Sequence, residues 1–243
     1  MAFGQVGSIG AAQNKTAGTN VSLTVTGRDA TAGQLLLIFV AVDNTTTTDG
    51  QTSDVGLPSD SQGNTYTKIG EFTNSQGSAD AGATIALFYT IVTTTLVQFT
   101  DTVTSNVNAS RAAKAIGGFL YTIGSGNTIQ VENIQTLADD GADPGSMSIS
   151  GLPNQEHLFV RAVAAESNTT TNISGTNYQQ WSAATTTGGG SASNMGGRAL
   201  SRIFTGTGDT LDPTLFAADC ASLFVALKEV SPAVSRSFGT IIG

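Results

Sequence analysis

The chain has 243 residues, of which 39% are hydrophobic and only 12% are charged, about half of the charged share in ordinary soluble proteins. With 29 glycines and abundant threonine, this composition favours sheet over helix. The net charge of −8 leaves no basic surface for phosphate groups, so neither nucleic acid nor an anionic membrane is predicted as a partner.

Alternating apolar residues predict strands along the first half of the chain. Residues 20–27 place Val21, Leu23 and Val25 on one face and Ser or Thr on the other, as in a half-buried strand. Residues 35–42 are almost entirely apolar and too short for a typical helix, which predicts a central strand covered on both faces. A long polar loop is predicted at 44–63, and further strands at 64–72, 83–92, 97–104 and 112–123.

The second half repeats the order of these segments. Five pairs match: 147–150 with 23–26, 157–163 with 36–42, 174–181 with 62–69, 198–204 with 84–89, and 221–227 with 113–120. This pattern predicts an all-β, jelly-roll-like antiparallel β-sandwich with an internally duplicated unit, its pseudo-repeats spanning about 20–125 and 145–230. Two tandem small sandwiches, or a chance match between generic strands, are the alternatives. Residues 128–134 are themselves strand-like, which favours one domain over 20–230.

The two ends are rich in small residues and differ from the middle. We predict an N-terminal arm over 1–19 and a C-terminal arm over 231–243, which become ordered on a neighbouring subunit. Simple terminal disorder is the alternative. The predicted assembly contacts are the apolar residues of these arms: Phe3, Val6, Ile9, Phe238, Ile241 and Ile242.

Residues that carry chemistry are few. The single His157 excludes a site built on several histidines, the single Cys220 excludes an internal disulfide, and no motif designates a nucleophilic serine. The carboxylates of 139–145, and Asp49, Asp54 and Asp60, lack the spacing of a calcium loop, so solvated turns are favoured over a cation site. We therefore predict no enzyme activity, no cofactor and no metal.

Three aromatic residues offer a second kind of candidate site. Tyr66, Tyr178 and Trp181 lie among neutral polar residues, a setting that suits stacking against sugars. They also occupy matching places in the two halves, which favours packing inside the fold over glycan contacts.

Four segments resemble a β-sandwich module of tailed-bacteriophage virion structural proteins that also occurs in bacterial surface proteins: 60–68, 86–90, 101–105 and 115–121. The resemblance implies a non-enzymatic virion protein, made in the host cytoplasm, that serves as a capsid decoration or cement protein or as a tail-associated subunit. Its implied partners are copies of itself and major capsid or tail proteins. The alternative is a carbohydrate-binding host-recognition module, an adhesin, of a tail fibre or cell surface, with a host surface glycan as its ligand.

Overall fold

The computed structural model describes residues 3–44, 47–50, 52, 54–77, 81–142, 144–167, 173–190, 193–214 and 218–232, and these residues contain no α-helix. They form sixteen strands: β1 Gly4–Asn14, β2 Gly18–Thr24, β3 Leu35–Asp43, β4 Ser59–Asp60, β5 Thr67–Asn74, β6 Ala83–Ile91, β7 Thr102–Arg111, β8 Lys114–Thr122, β9 Thr128–Ala142, β10 Met147–Ile149, β11 Gln155–Glu166, β12 Gln179–Gln180, β13 Ala184–Thr185, β14 Met195–Gly206, β15 Asp209–Leu211 and β16 Ala218–Val230.

The strands make four antiparallel sheets. The first half of the chain forms the first large sheet, in the order β1-β8-β3-β6-β5, and the first outer sheet, β2-β7-β4. The second half forms the second large sheet, β9-β16-β11-β14-β12 with β13 also on β14, and the second outer sheet, β10-β15. The two large sheets pack against each other, and each outer sheet covers the remaining face of its own large sheet.

The prediction of an all-β, antiparallel sandwich architecture is confirmed. The sheets differ from the single sandwich that we expected, because they stack in four layers with three apolar interfaces. The large sheets have matching strand orders, and the five sequence pairs fall on corresponding strands. Duplication of an ancestral unit and a jelly-roll relationship stay predictions.

The continuous apolar runs of β3 and β11 follow from this stacking. In β3, Leu36, Ile38 and Val40 face the first outer sheet, whereas the alternate residues face the second large sheet. β11 does the same between the first large sheet and the second outer sheet, with Leu158 and Val160 directed at the first half. Because both faces of each strand are buried, no polar alternation remains in the sequence.

Two glycines make room for an aromatic side chain between the large sheets. A Cβ atom on Gly117 of β8 or Gly197 of β14 would lie 2.6 or 2.4 Å from the ring of Phe39. The Phe39 ring then reaches Trp181, with ring centroids 6.3 Å apart and an interplanar angle of 27°. The absent side chains therefore allow the two halves to share one aromatic cluster.

Residues predicted as a loose N-terminal arm form instead an edge strand of the first large sheet. β1 pairs with β8 over its whole length, and Phe3 and Ile9 are buried in the core while Val6 is partly buried. Phe3 and Ile9 therefore contact the chain's own sheets. Within the predicted C-terminal arm, Phe238, Ile241 and Ile242 lie outside the described residues.

Candidate functional site

The seam groove is a cleft of about 610 Å³ where β1 meets the chain around β12. It is lined by residues 5–8, Phe119 and residues 179–182, and none of these is acidic or basic. Its polar groups are the amides of Gln5, Gln179 and Gln180, serine hydroxyls and main-chain atoms. The groove can therefore form neutral hydrogen bonds and apolar contacts, but its lining contains no acid or base for proton transfer.

Trp181 lies at the floor of this groove and is 3% exposed. Its ring stacks on Phe119 with centroids 5.6 Å apart and an interplanar angle of 20°, and its Nε1 donates to Ser201 Oγ at 3.0 Å. Both the ring and its polar atom are occupied by the protein itself. Trp181 is therefore a packing residue between the halves, and it has no free ring face for a sugar.

The other two aromatic candidates lie elsewhere. Tyr66 is buried under the first outer sheet and donates from its hydroxyl to Asp60 Oδ2 at 2.9 Å. Tyr178 packs beside the second outer sheet and donates to Asp209 Oδ2 at 2.8 Å. Burial and the neighbouring carboxylate raise the pKa of each phenol far above its ordinary value. The structure does not bring the three aromatic residues together, so they form no common platform.

His157 belongs to an ionic cluster on the second large sheet. Its Nε2 lies 2.7 Å from Glu132 Oε2 on β9, and Lys228 of β16 pairs with the other oxygen of that carboxylate. Burial raises the pKa of Glu132, but the bonds from Lys228 and His157 outweigh it, so the pKa is lowered. Within the described part of the chain, neither a serine nor Cys220 hydrogen-bonds to this histidine, so the cluster lacks the nucleophile of a catalytic triad.

The carboxylates that could have held a cation cap turns and loops. Asp60 accepts hydrogen bonds from the amides of Gln62 and Asn64, and Asp49 accepts two from Ser75. Asp139 accepts one from the Gly145 amide. Asp143 lies outside the described residues, and in the described ranges no three His, Cys, Asp or Glu side chains are placed to hold a metal ion.

Two buried charged residues, Glu71 and Lys114, hold loops against the first large sheet, a role that no motif in the sequence indicates. Glu71 Oε1 accepts from the Asp54 amide at 2.6 Å, and its Oε2 accepts from Lys68 Nζ at 2.6 Å. Burial raises the pKa of Glu71 in spite of Lys68. Lys114 donates to the carbonyls of Thr16, at 2.9 Å, and of two further residues of the neighbouring turns, and burial lowers its pKa. Both charges thus satisfy backbone groups of loops.

Asp101 organises an exposed turn over residues 97–101, the beginning of a segment for which the sequence predicts a strand. Its carboxylate accepts from the Val97 amide at 2.7 Å, from Ser61 Oγ at 2.6 Å and from Gln62 Nε2 at 2.8 Å. These hydrogen bonds, led by the one from Ser61, lower the pKa of Asp101. The turn holds Phe99 at a φ of 60° with 72% of its surface exposed. An aromatic side chain is thereby fixed outside the core.

Since the described residues form no α-helix, they contain no candidate for a membrane-spanning helix. Comparison of the chain with protein-family models, with curated proteins and with solved structures found no match.

Proposed function

We propose that the chain is a non-enzymatic structural subunit of a bacteriophage particle, located on the capsid or in the tail. It acts through contacts with copies of itself and with other virion proteins. The phage assignment rests on the resemblance of residues 60–68, 86–90, 101–105 and 115–121 to virion modules.

The observation that supports a structural role is that buried charged side chains hydrogen-bond to main-chain groups. Glu71 and Lys114 bond loop backbone, and Arg161 donates to the carbonyls of Gly145 and Leu211 at 2.7 and 3.1 Å. In an enzyme, perturbed ionisable groups commonly converge on a cleft. Here these three side chains bond to main-chain groups of loops and of the outer strand β15 and hold them on the large sheets, which supports a structural role for the protein.

The surface features agree with a role in contact. Phe99 is exposed and held at a backbone angle that most residues avoid, and such a position is typical of sites under a functional constraint. The alternative of a carbohydrate-binding module has less support, because Tyr66 and Trp181 are each only 3% exposed.

Quantitative mass spectrometry of gradient-purified particles tests the proposal. Particles of the phage that encodes this chain should contain it, with hundreds of copies for shell decoration and a few to tens for a tail position. A replication enzyme of the same phage is the matched control, since it should remain in the lysate. The proposal fails if the chain is abundant in the lysate and missing from the particles.

A further inference from the structure

The edges of the two large sheets are protected to different degrees. At β1, two bulges interrupt the pairing with β8, and the Thr26 and Gly27 amides donate to Ile9 O at 2.9 and 3.0 Å. At β5, the preceding loop covers the edge, with the Gly50 amide donating to Thr73 O at 2.8 Å. The β12 and β13 edge consists of two-residue strands. Bulges, covering loops and short strands are the usual ways to prevent pairing with another chain.

The middle of β9 is less protected. Two irregularities interrupt its pairing with β16, one between Val131 and Asn133 and one between Asp139 and Ala142, but the stretch from Asn133 to Asp139 pairs without interruption. β9 is 15 residues long and pairs on one side with β16. Among the described residues, no main-chain group bonds to the outer edge of β9 between Val131 and Ala138. Ile134, Gln135 and Thr136 are exposed in succession, although neighbouring side chains of a strand point to opposite faces. The middle of β9 is therefore open at its edge and carries exposed side chains on both faces, although Ile134 lies beside Gly70 of β5 and Leu137 packs against the core.

We propose that β9 is the contact between two copies of this chain, which pair their β9 strands antiparallel and continue the second large sheet across both molecules. This inference rests on the proposed role in assembly and names its partner as a second copy. Main-chain hydrogen bonds along the paired edges would provide the contact, as in other cases of strand addition.

The β9 sequence is complementary to itself in the antiparallel direction. A two-fold axis perpendicular to the sheet pairs residues whose side chains share a face, so it can place Ile134 opposite Ile134 of the second copy. This register brings Gln135 beside Asn133 of the second copy, and it places Asp139 and Asp140 against the uncharged beginning of the other β9. A parallel arrangement would instead align the acidic ends, which repel each other. Ile134 is one of the few large apolar side chains exposed in the described structure, and the pairing covers it.

Opposite charges at the two-fold position test this inference. The full chain should sediment in ultracentrifugation at about twice its mass of 24.7 kDa. Ile134→Lys and Ile134→Glu should each sediment as monomers, because each places like charges opposite one another. An equimolar mixture of the two variants should recover the dimer. Thr24→Lys, at an exposed position of β2, is the matched control and should remain dimeric.

A monomeric wild-type chain at every concentration would overturn the proposal, as would dimeric Ile134 variants or variants that do not pair on mixing. Hydrogen exchange on the wild-type chain provides a test that does not depend on a variant folding: amides of residues 131–138 should gain protection as concentration rises, and unchanged protection would also overturn it. A dimer in solution together with absence from particles would refute only the phage role.

Discussion

Replacing Trp181 by alanine tests whether the two halves share one core. The ring lies against Phe119 and Phe39 of the first half, and its Nε1 bonds Ser201 of the second half. Truncating a large buried aromatic residue costs about 3–5 kcal/mol, because apolar contacts are lost and a cavity remains. Trp181→Ala should therefore lower the free energy of unfolding by about 3–5 kcal/mol, which corresponds to a fall in Tm of roughly 6–20 °C for a chain of this size.

Urea unfolding followed by far-UV circular dichroism measures this loss, because Trp181 is the single tryptophan and its fluorescence disappears in the variant. Phe99→Ala is the matched control: this aromatic is 72% exposed, so its removal should change stability by less than about 0.5 kcal/mol. A loss below about 1 kcal/mol for Trp181→Ala would refute the packing argument. Two separate transitions in the wild-type chain would refute the shared core.

Three further substitutions test two buried charged residues, Glu166 and Lys114, and the space that Gly197 leaves for the Phe39 ring. Burial, with Asp219 and Asp43 nearby, raises the pKa of Glu166 to about 8 from an ordinary 4.5. The folded chain therefore binds this proton more tightly than the unfolded chain, and it loses stability as the pH rises from about 4.5 to about 8. The Tm of wild type and Glu166→Gln should agree at low pH and separate towards pH 8, with wild type lower; parallel curves would contradict this cause. Gly197→Ala should cost about 1–3 kcal/mol in urea unfolding, because its Cβ overlaps Phe39, whereas Gly190→Ala, where a Cβ meets no atom, should not. Lys114→Met should cost about 1–3 kcal/mol and speed hydrogen exchange at residues 15–18, since it removes the donor to the Thr16 and Gly18 carbonyls; unchanged exchange there would argue against the clamp.

The central strands could be predicted because their burial leaves a local signature. Residues 35–42 and 157–163 are nearly uninterrupted apolar runs, and they become β3 and β11, each covered on both faces. The half-buried β2 likewise shows the alternation of a strand with one face in the core. In these segments, the hydrophobic pattern along the chain is therefore enough to predict which faces of the strand are buried.

β1 was missed because its local pattern is irregular. Gly7 and Gly10 adopt φ angles of 137° and 125° beside the two bulges, and each bulge shifts the alternation of inward and outward side chains. A glycine-rich segment without a steady period reads as a flexible arm. Only its pairing with β8, which comes more than a hundred residues later, makes it a strand.

The polar sites depended most on tertiary structure. Nothing near Glu132 in the chain marks it as the partner of His157 and Lys228, and the three meet only because β9, β16 and β11 are neighbours in one sheet. For Trp181 and Tyr66 the sequence favoured packing over glycan contacts, but which residues they pack against follows only from the stacking of the sheets.

The sequence by itself determined that the chain is built from strands and which of these lie at the centre, since side-chain alternation and apolar runs are local properties. The stacking of the four layers, the edges that stay open and the partner of each buried charge were decided only by tertiary structure, because they depend on contacts between residues far apart in the chain.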